Sequence, residues 1–223
     1  IIILGSMNYY LAIISGYSLI IPGVISIFRF NAITNTYFPF ILFILIGCFN
    51  EALSSILVAN GHFTTINNNF YVLTESLVLL YFFKRINLFN NSHFLFIFLA
   101  ITCVAFWTFE SFVLKDITTT SYYFRIYYSF LIVLLSISNI NKILITETAQ
   151  LSNNPLFLIS ICFICYYTLK VIIEAFLLYG IKYSDVVLSN IYNILIYLNL
   201  IINFIYALAL LWIPRKQVSL LKR

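Results

Sequence analysis

The segment Pro155–Gly180, PLFLISICFICYYTLKVIIEAFLLYG, constrains the chain more than any other. As a helix it exceeds the roughly 20 apolar residues needed to cross the hydrocarbon of a bilayer. Yet it carries Lys170 and, one helical turn later, Glu174. An ionised side chain at the centre of a spanning helix costs about 2.5–3.5 kcal/mol when it faces lipid. Such a helix must turn its charged stripe toward protein, water or a ligand, so it requires neighbours.

The same length rule finds those neighbours. Apolar runs at about 9–28, 38–59, 67–84, 94–113, 122–145, 155–179 and 187–213 alternate with short polar breaks such as NAITNT, NLFNNS and LKDITTT. Only 9% of residues are charged, against about 25% in soluble domains, too few to cover a water-facing surface. Barrel strands would show period-two patterning over about ten residues, and these runs are longer and continuous. The expected fold is all-α: one seven-helix transmembrane bundle over residues 7–213. Gly5-Ser6-Met7 resembles a cloning junction, so residues 1–6 are expected to be non-native.

Basic flanks set the expected orientation. Arg29, Lys84, Arg85, Lys142 and four bases of the tail 214–223 follow odd-numbered spans; Lys115, Lys182 and Arg125 lie on the other side. This puts the N-terminus outside and the short basic tail in the cytoplasm, with a bacterial cytoplasmic membrane as the expected location. These bases record topology, and no nucleic-acid interface is expected.

Six ionisable residues fall within the middle or outer half of the expected spans: Glu51, Glu75, Glu110, Arg125, Lys170 and Glu174. They come from five helices, and together they could not all face lipid within a net stability of about 5–15 kcal/mol. They are therefore expected to converge. Four carboxylates against two bases leave a negative surplus, balanced by a proton, a cation or water. Lys170 and Glu174 are spaced to pair with each other, which would leave Glu51, Glu75 and Glu110 sharing Arg125. Tyr71, Tyr167, Tyr192 and Asn193 lie on polar stripes beside these charges and complete the candidate ligand-binding set. Interhelical bonding without any ligand is the competing role for all of them. Pro22-Gly23 should kink span 1, with Ser15 and Ser18 placed to satisfy loosened carbonyls.

Other signals are weak. Cys162-Phe-Ile-Cys165 has CxxC spacing but sits in an apolar span without a second pair, so it is assigned to packing. His62 and His93 belong to opposite-side loops and cannot share a zinc ion. No metal or cofactor is expected, and no catalytic set can be named. Seven spans with an outside N-terminus resemble microbial rhodopsins and small three-plus-one-plus-three sugar transporters. The resemblance ends at span count, since span 7 has no lysine for retinal, and no residue role is transferred.

The leading functional expectation is binding, and transport, of a small polar or cationic solute in an outward-facing intramembrane pocket. The alternatives are a sensor or assembly subunit needing a partner protein or a second copy, and, last, a membrane-embedded enzyme acting on a lipid.

Overall fold

The computed structural model describes residues 6–90, 92–146, 151–178 and 185–214. The leading residues 1–5, Lys182 and the basic tail from 215 onward lie outside the described residues, as does the side chain of Tyr192. The described residues are 85% helical, and there are no strands among them. Eight α-helices are present among the described residues: α1 (Ser6–Tyr17), α2 (Ile20–Arg29), α3 (Phe38–Ala59), α4 (Thr65–Arg85), α5 (His93–Phe109), α6 (Tyr122–Thr146), α7 (Pro155–Leu178) and α8 (Asp185–Trp212). Five of the apolar helical stretches are long enough to cross a membrane: Asn35–Ala59, His93–Leu114, Tyr122–Ile145, Pro155–Leu178 and Asn193–Trp212. Large apolar side chains such as Phe28, Phe63, Phe94 and Ile145 stand on the outer surface. That pattern suits lipid as solvent and would be an aggregation liability in water.

Two expected spans take a different form. The first is broken into α1 and α2, with Ser18 and Leu19 between them. Pro22 explains the site of the break: it has no N–H to give the Ser18 carbonyl, and its ring crowds that carbonyl. The Ser18 hydroxyl donates to the Ser15 carbonyl at 2.6 Å. The third, α4, is long enough at 21 residues but carries Asn67, Asn68, Asn69 and Glu75, and it falls outside the set of five apolar spans. The reason is its position. α4 packs on α3, α5 and α6, so it faces protein over most of its length and needs little lipid-compatible surface.

Helix packing closes a ring. The α1–α2 pair rests on α8 and α3, α3 on α4, α4 on α6, α6 on α7, and α7 on α8. α5 lies outside, against α4 and α6, and buries only Cys103 and Trp107 along its 17 residues. Phe40, Phe82, Phe163 and Tyr206 meet edge-to-face or tilted at 5.3–6.3 Å between centroids, geometries that match ring quadrupoles. They fill the half of the bundle where α4 ends.

The helix ends are set locally. α3 stops at Gly61, whose φ of 74° allows His62 N–H to reach the Leu57 carbonyl and Gly61 N–H the Val58 carbonyl. α4 stops the same way at Asn87, φ 58°, with Leu88 N–H on Phe83 and Asn87 N–H on Lys84. Both are Schellman motifs, which need a left-handed residue just past the helix.

Candidate functional site

The ionisable residues converge at one level of the ring. α3 and α7 end at this side of the bundle, while α4 and α6 begin there. Glu75 lies ten residues into α4, about 15 Å from its start. Arg125 lies near the start of α6, and Lys170 and Glu174 near the end of α7. Charges separated by up to 123 positions in sequence, Glu51 to Glu174, are thus brought together by antiparallel packing.

The deepest layer is a closed network. Glu75 is 3% exposed. Tyr128 of α6 donates to its Oε2 at 2.8 Å and Tyr167 of α7 donates to its Oε1 at 2.6 Å. Lys170 Nζ stands 3.5 Å from Oε2 and donates to the Tyr128 hydroxyl. Its ammonium also lies 4.9, 5.7 and 5.5 Å from the ring centroids of Tyr128, Tyr166 and Tyr167, within cation–π range. Every member of this network has a partner, which is the condition for a buried ion pair to be tolerated. Lys170 therefore pairs across helices with Glu75 and not along its own helix with Glu174. Lys170 and Glu174 have the i, i+4 spacing, but Tyr128 and Tyr167 fix the Glu75 carboxylate where it can meet the ammonium, and Arg125 occupies Glu174.

Above it, Arg125 Nη1 meets Glu174 Oε1 at 3.4 Å. This is a single contact and not a bidentate fork, and Arg125 Nε is buried without a protein acceptor. Glu110 takes no part in the cluster. It accepts the backbone N–H groups of Tyr123 and Phe124 at 3.0 and 2.5 Å and stands 3.9 Å from Lys115. A carboxylate at that place caps α6, where orphan amides and the helix dipole favour negative charge. A π-helical turn over Glu110–Leu114 swings the chain there, its Lys115 N–H reaching back to the Glu110 carbonyl.

Glu51 remains. Among the described residues its carboxylate has no hydrogen bond and no ion pair. It borders a cavity of about 230 Å³ whose polar wall comprises Asn50, Asn68, Tyr71 and Tyr166 and whose floor includes Lys170, with Arg125 and Glu174 at the side. Val72, Ile173 and Leu195 supply an apolar wall. Glu51, Tyr71 and Tyr166 also border a second, deeper space of about 110 Å³ that runs past Glu75 toward Asn203 and Tyr206, beside Leu19 at the break in span 1. A methyl group added at Gly16 would come within 3.3 Å of Glu51 Oε2, so the α1 backbone passes close to the carboxylate.

The three asparagines that open α4 divide the work by their 100° spacing around the helix. Asn67 donates to Asn50 at 2.8 Å and to Ser54 at 3.1 Å, tying α4 to α3. Asn69 donates to the carbonyls of Ile117 and Thr119 at 2.9 and 2.8 Å and pins the loop before α6. Asn68 donates to the Thr64 hydroxyl at 3.4 Å and lines the cavity.

Of the sequence candidates, then, Glu51, Tyr71, Arg125, Lys170 and Glu174 share the larger cavity. Glu75 and Tyr167 lie in the closed network beneath it. Asn193 is half-buried on α8 and lines neither space. Tyr192 falls outside the described side chains. Sequence reasoning missed Asn50, Tyr128 and Tyr166 as members of the site. The signals were present: Tyr166 is one turn before Lys170, and Tyr128 is three residues after Arg125 on the same face. Against known protein families, curated proteins and solved structures, the chain matches none.

Proposed function

We propose that this is a seven-span integral membrane protein, N-terminus outside, that binds a small cationic or polar solute at Glu51 and carries it inward. The observation that supports the reading is the Glu51 carboxylate, bordering a polar cavity with no hydrogen-bond or ion-pair partner among the described residues. With Glu110 assigned to Lys115, the cluster holds Glu51, Glu75 and Glu174 against Arg125 and Lys170. The surplus charge therefore falls on Glu51, the acid of this cluster with no partner among the described residues, and a monovalent cation there would balance it. The cavity is below the about 300–1,000 Å³ typical of drug-sized ligands, which favours a small solute. The two spaces that meet at Glu51, Tyr71 and Tyr166 supply a route past the broken helix, a feature of many transporter sites.

The span count rests on taking the α1–α2 pair and α4 as crossings. The pair and five single helices close the ring with α5 outside it, and α4 joins α3, which ends on the Glu51 side, to α5, which begins on the Lys84 side. The orientation rests on Arg29, Lys84, Arg85 and Lys142 at one end, which we assign to the cytoplasmic face of a bacterial inner membrane.

The test uses the full chain in nanodiscs. Sodium, methylammonium, choline and putrescine are titrated while thermal unfolding is followed. At least one should raise the melting temperature of the wild-type chain and leave Glu51→Gln unmoved, because that variant loses the charge and no protein contact. No shift with any probe, or the same shift in Glu51→Gln, overturns the reading.

A further inference from the structure

We propose that the cleft at the opposite end of the bundle is a phosphate site, filled in the membrane by the headgroup of an anionic phospholipid. The cleft encloses about 340 Å³ where α4 turns into α5 and is lined by Lys84, Arg85, Asn87, Phe89, Ser92 and His93. Among the described residues no Asp or Glu lines it. Among the described residues every acid lies at mid-bundle or toward the end that holds Glu51, so nothing described at this end offsets the positive charge of the cleft.

Lys84 and Arg85 keep donors to spare. Lys84 Nζ lies 4.3 Å from the Phe96 ring centroid, a contact that uses the face of the charge and leaves N–H groups free to point elsewhere. Arg85 Nη2 donates to the Asn35 carbonyl at 3.2 Å, one bond from a fork of five donors. Lys142 Nζ donates to the Asn87 carbonyl at 2.6 Å, which brings a third positive charge to the rim. Ser92 caps α5, accepting the Leu95 N–H at 3.4 Å, so the cleft also receives the positive end of a 17-residue helix. Bases, a hydroxyl and a helix N-terminus converging on one concave space form the donor set that phosphate oxygens accept.

The shape comes from backbone geometry. Asn87 and Asn90 both hold positive φ, 58° and 47°, which folds the connection back on itself and sets Lys84 and Arg85 facing the first turn of α5. A plain stop-transfer flank needs bases only somewhere near the helix end. Here the two asparagines gather them around a cavity. Basic clefts between helices at the membrane surface bind anionic headgroups, and the exposed Phe94 beside this one gives acyl chains an apolar surface to follow.

A lipid phosphate and free phosphate share this chemistry, and the experiment separates them. The full chain is extracted from bilayers of phosphatidylcholine doped with phosphatidylglycerol and weighed by native mass spectrometry. In a parallel arm, inorganic phosphate is titrated onto chain purified from phosphatidylcholine alone, with thermal unfolding as the readout. The proposal expects one phosphatidylglycerol retained per chain, in preference to phosphatidylcholine, with retention reduced about fivefold for each base removed in Lys84→Gln and in Lys84→Gln/Arg85→Gln. Stabilisation by inorganic phosphate without lipid retention would support the site and reassign its source to free phosphate. Equal retention of both lipids together with no response to phosphate overturns the proposal. So does selective retention that the variants leave unchanged, since diffuse surface charge would then account for it. If the double variant does not fold, the single variant and the wild-type arms still decide.

Discussion

Glu51 and Glu75 are the same residue type on neighbouring helices, and their surroundings give them opposite roles. Glu75 has both oxygens committed, to Tyr128, Tyr167 and Lys170. Glu75→Gln would leave a buried ammonium without its counter-charge, and loss of one partner of a buried pair costs about 3–5 kcal/mol. Denaturant unfolding in micelles should show a loss of that size. Tyr167→Phe removes one hydrogen bond to a charged group and should cost about 1.5–3 kcal/mol. Glu51→Gln should stay within about 0.5 kcal/mol of wild type, while abolishing the ligand response. Glu110→Gln tests the separation of roles in the other direction. It weakens the cap on α6 by about 0.5–2 kcal/mol and should leave ligand-induced stabilisation intact. These four variants, unfolded side by side, distinguish a scaffold acid, a capping acid and a ligand acid by measurement.

At the scale of elements, the broken first span is held by α8. Asn203 donates to the Ser18 hydroxyl at 2.7 Å, Asn199 to the Ser15 hydroxyl at 3.2 Å, and the Ser15 hydroxyl donates to the Ile196 carbonyl at 2.9 Å. The span 7 asparagines thus tie helices together at the break. Interhelical hydrogen bonds in membranes average about 0.6 kcal/mol and reach about 1.7 kcal/mol, so Asn203→Leu should cost no more than that in an unfolding titration. Close approach on the other side depends on Gly47: a methyl group there would lie 2.8 Å from Leu19 Cδ2 and 3.7 Å from the Tyr71 hydroxyl. Gly47→Ala should therefore push α2 and α3 apart or displace Leu19, at about 1–3 kcal/mol, and narrow the deeper cavity. A crystal structure or a melting curve of the variant would show it.

For the whole molecule, the proposed orientation implies a pattern of chemical access. His62 follows the end of α3, on the side of Glu51, and His93 opens α5, on the side of Lys84 and Arg85. In a background with the four native cysteines replaced, His62→Cys should react with a membrane-impermeant maleimide in intact cells. His93→Cys should react only after permeabilisation. The reverse pattern would invert the orientation. Reaction of both in intact cells would mean that α4 does not cross. The native cysteines are all free thiols, so their replacement breaks no disulfide.

What was legible in the linear chain follows from short-range physics. Runs such as Pro155–Gly180 have no low-energy state in water, and a backbone in lipid must bond to itself, so helices and their approximate limits could be read directly. Pro22 marked the break in span 1, because a proline acts within one turn. Convergence of Glu51, Glu75 and Lys170 could be expected from the cost of facing lipid. Pairing could not. The choice of Lys170 for Glu75 over Glu174 depends on Tyr128 and Tyr167, which reach the same carboxylate from two other helices. The removal of Glu110 from the cluster depends on where α6 happens to begin. That Glu51 has no partner among the described residues is the remainder of those choices, fixed only when the ring closes, because which charge lacks a neighbour is a property of distances across helices.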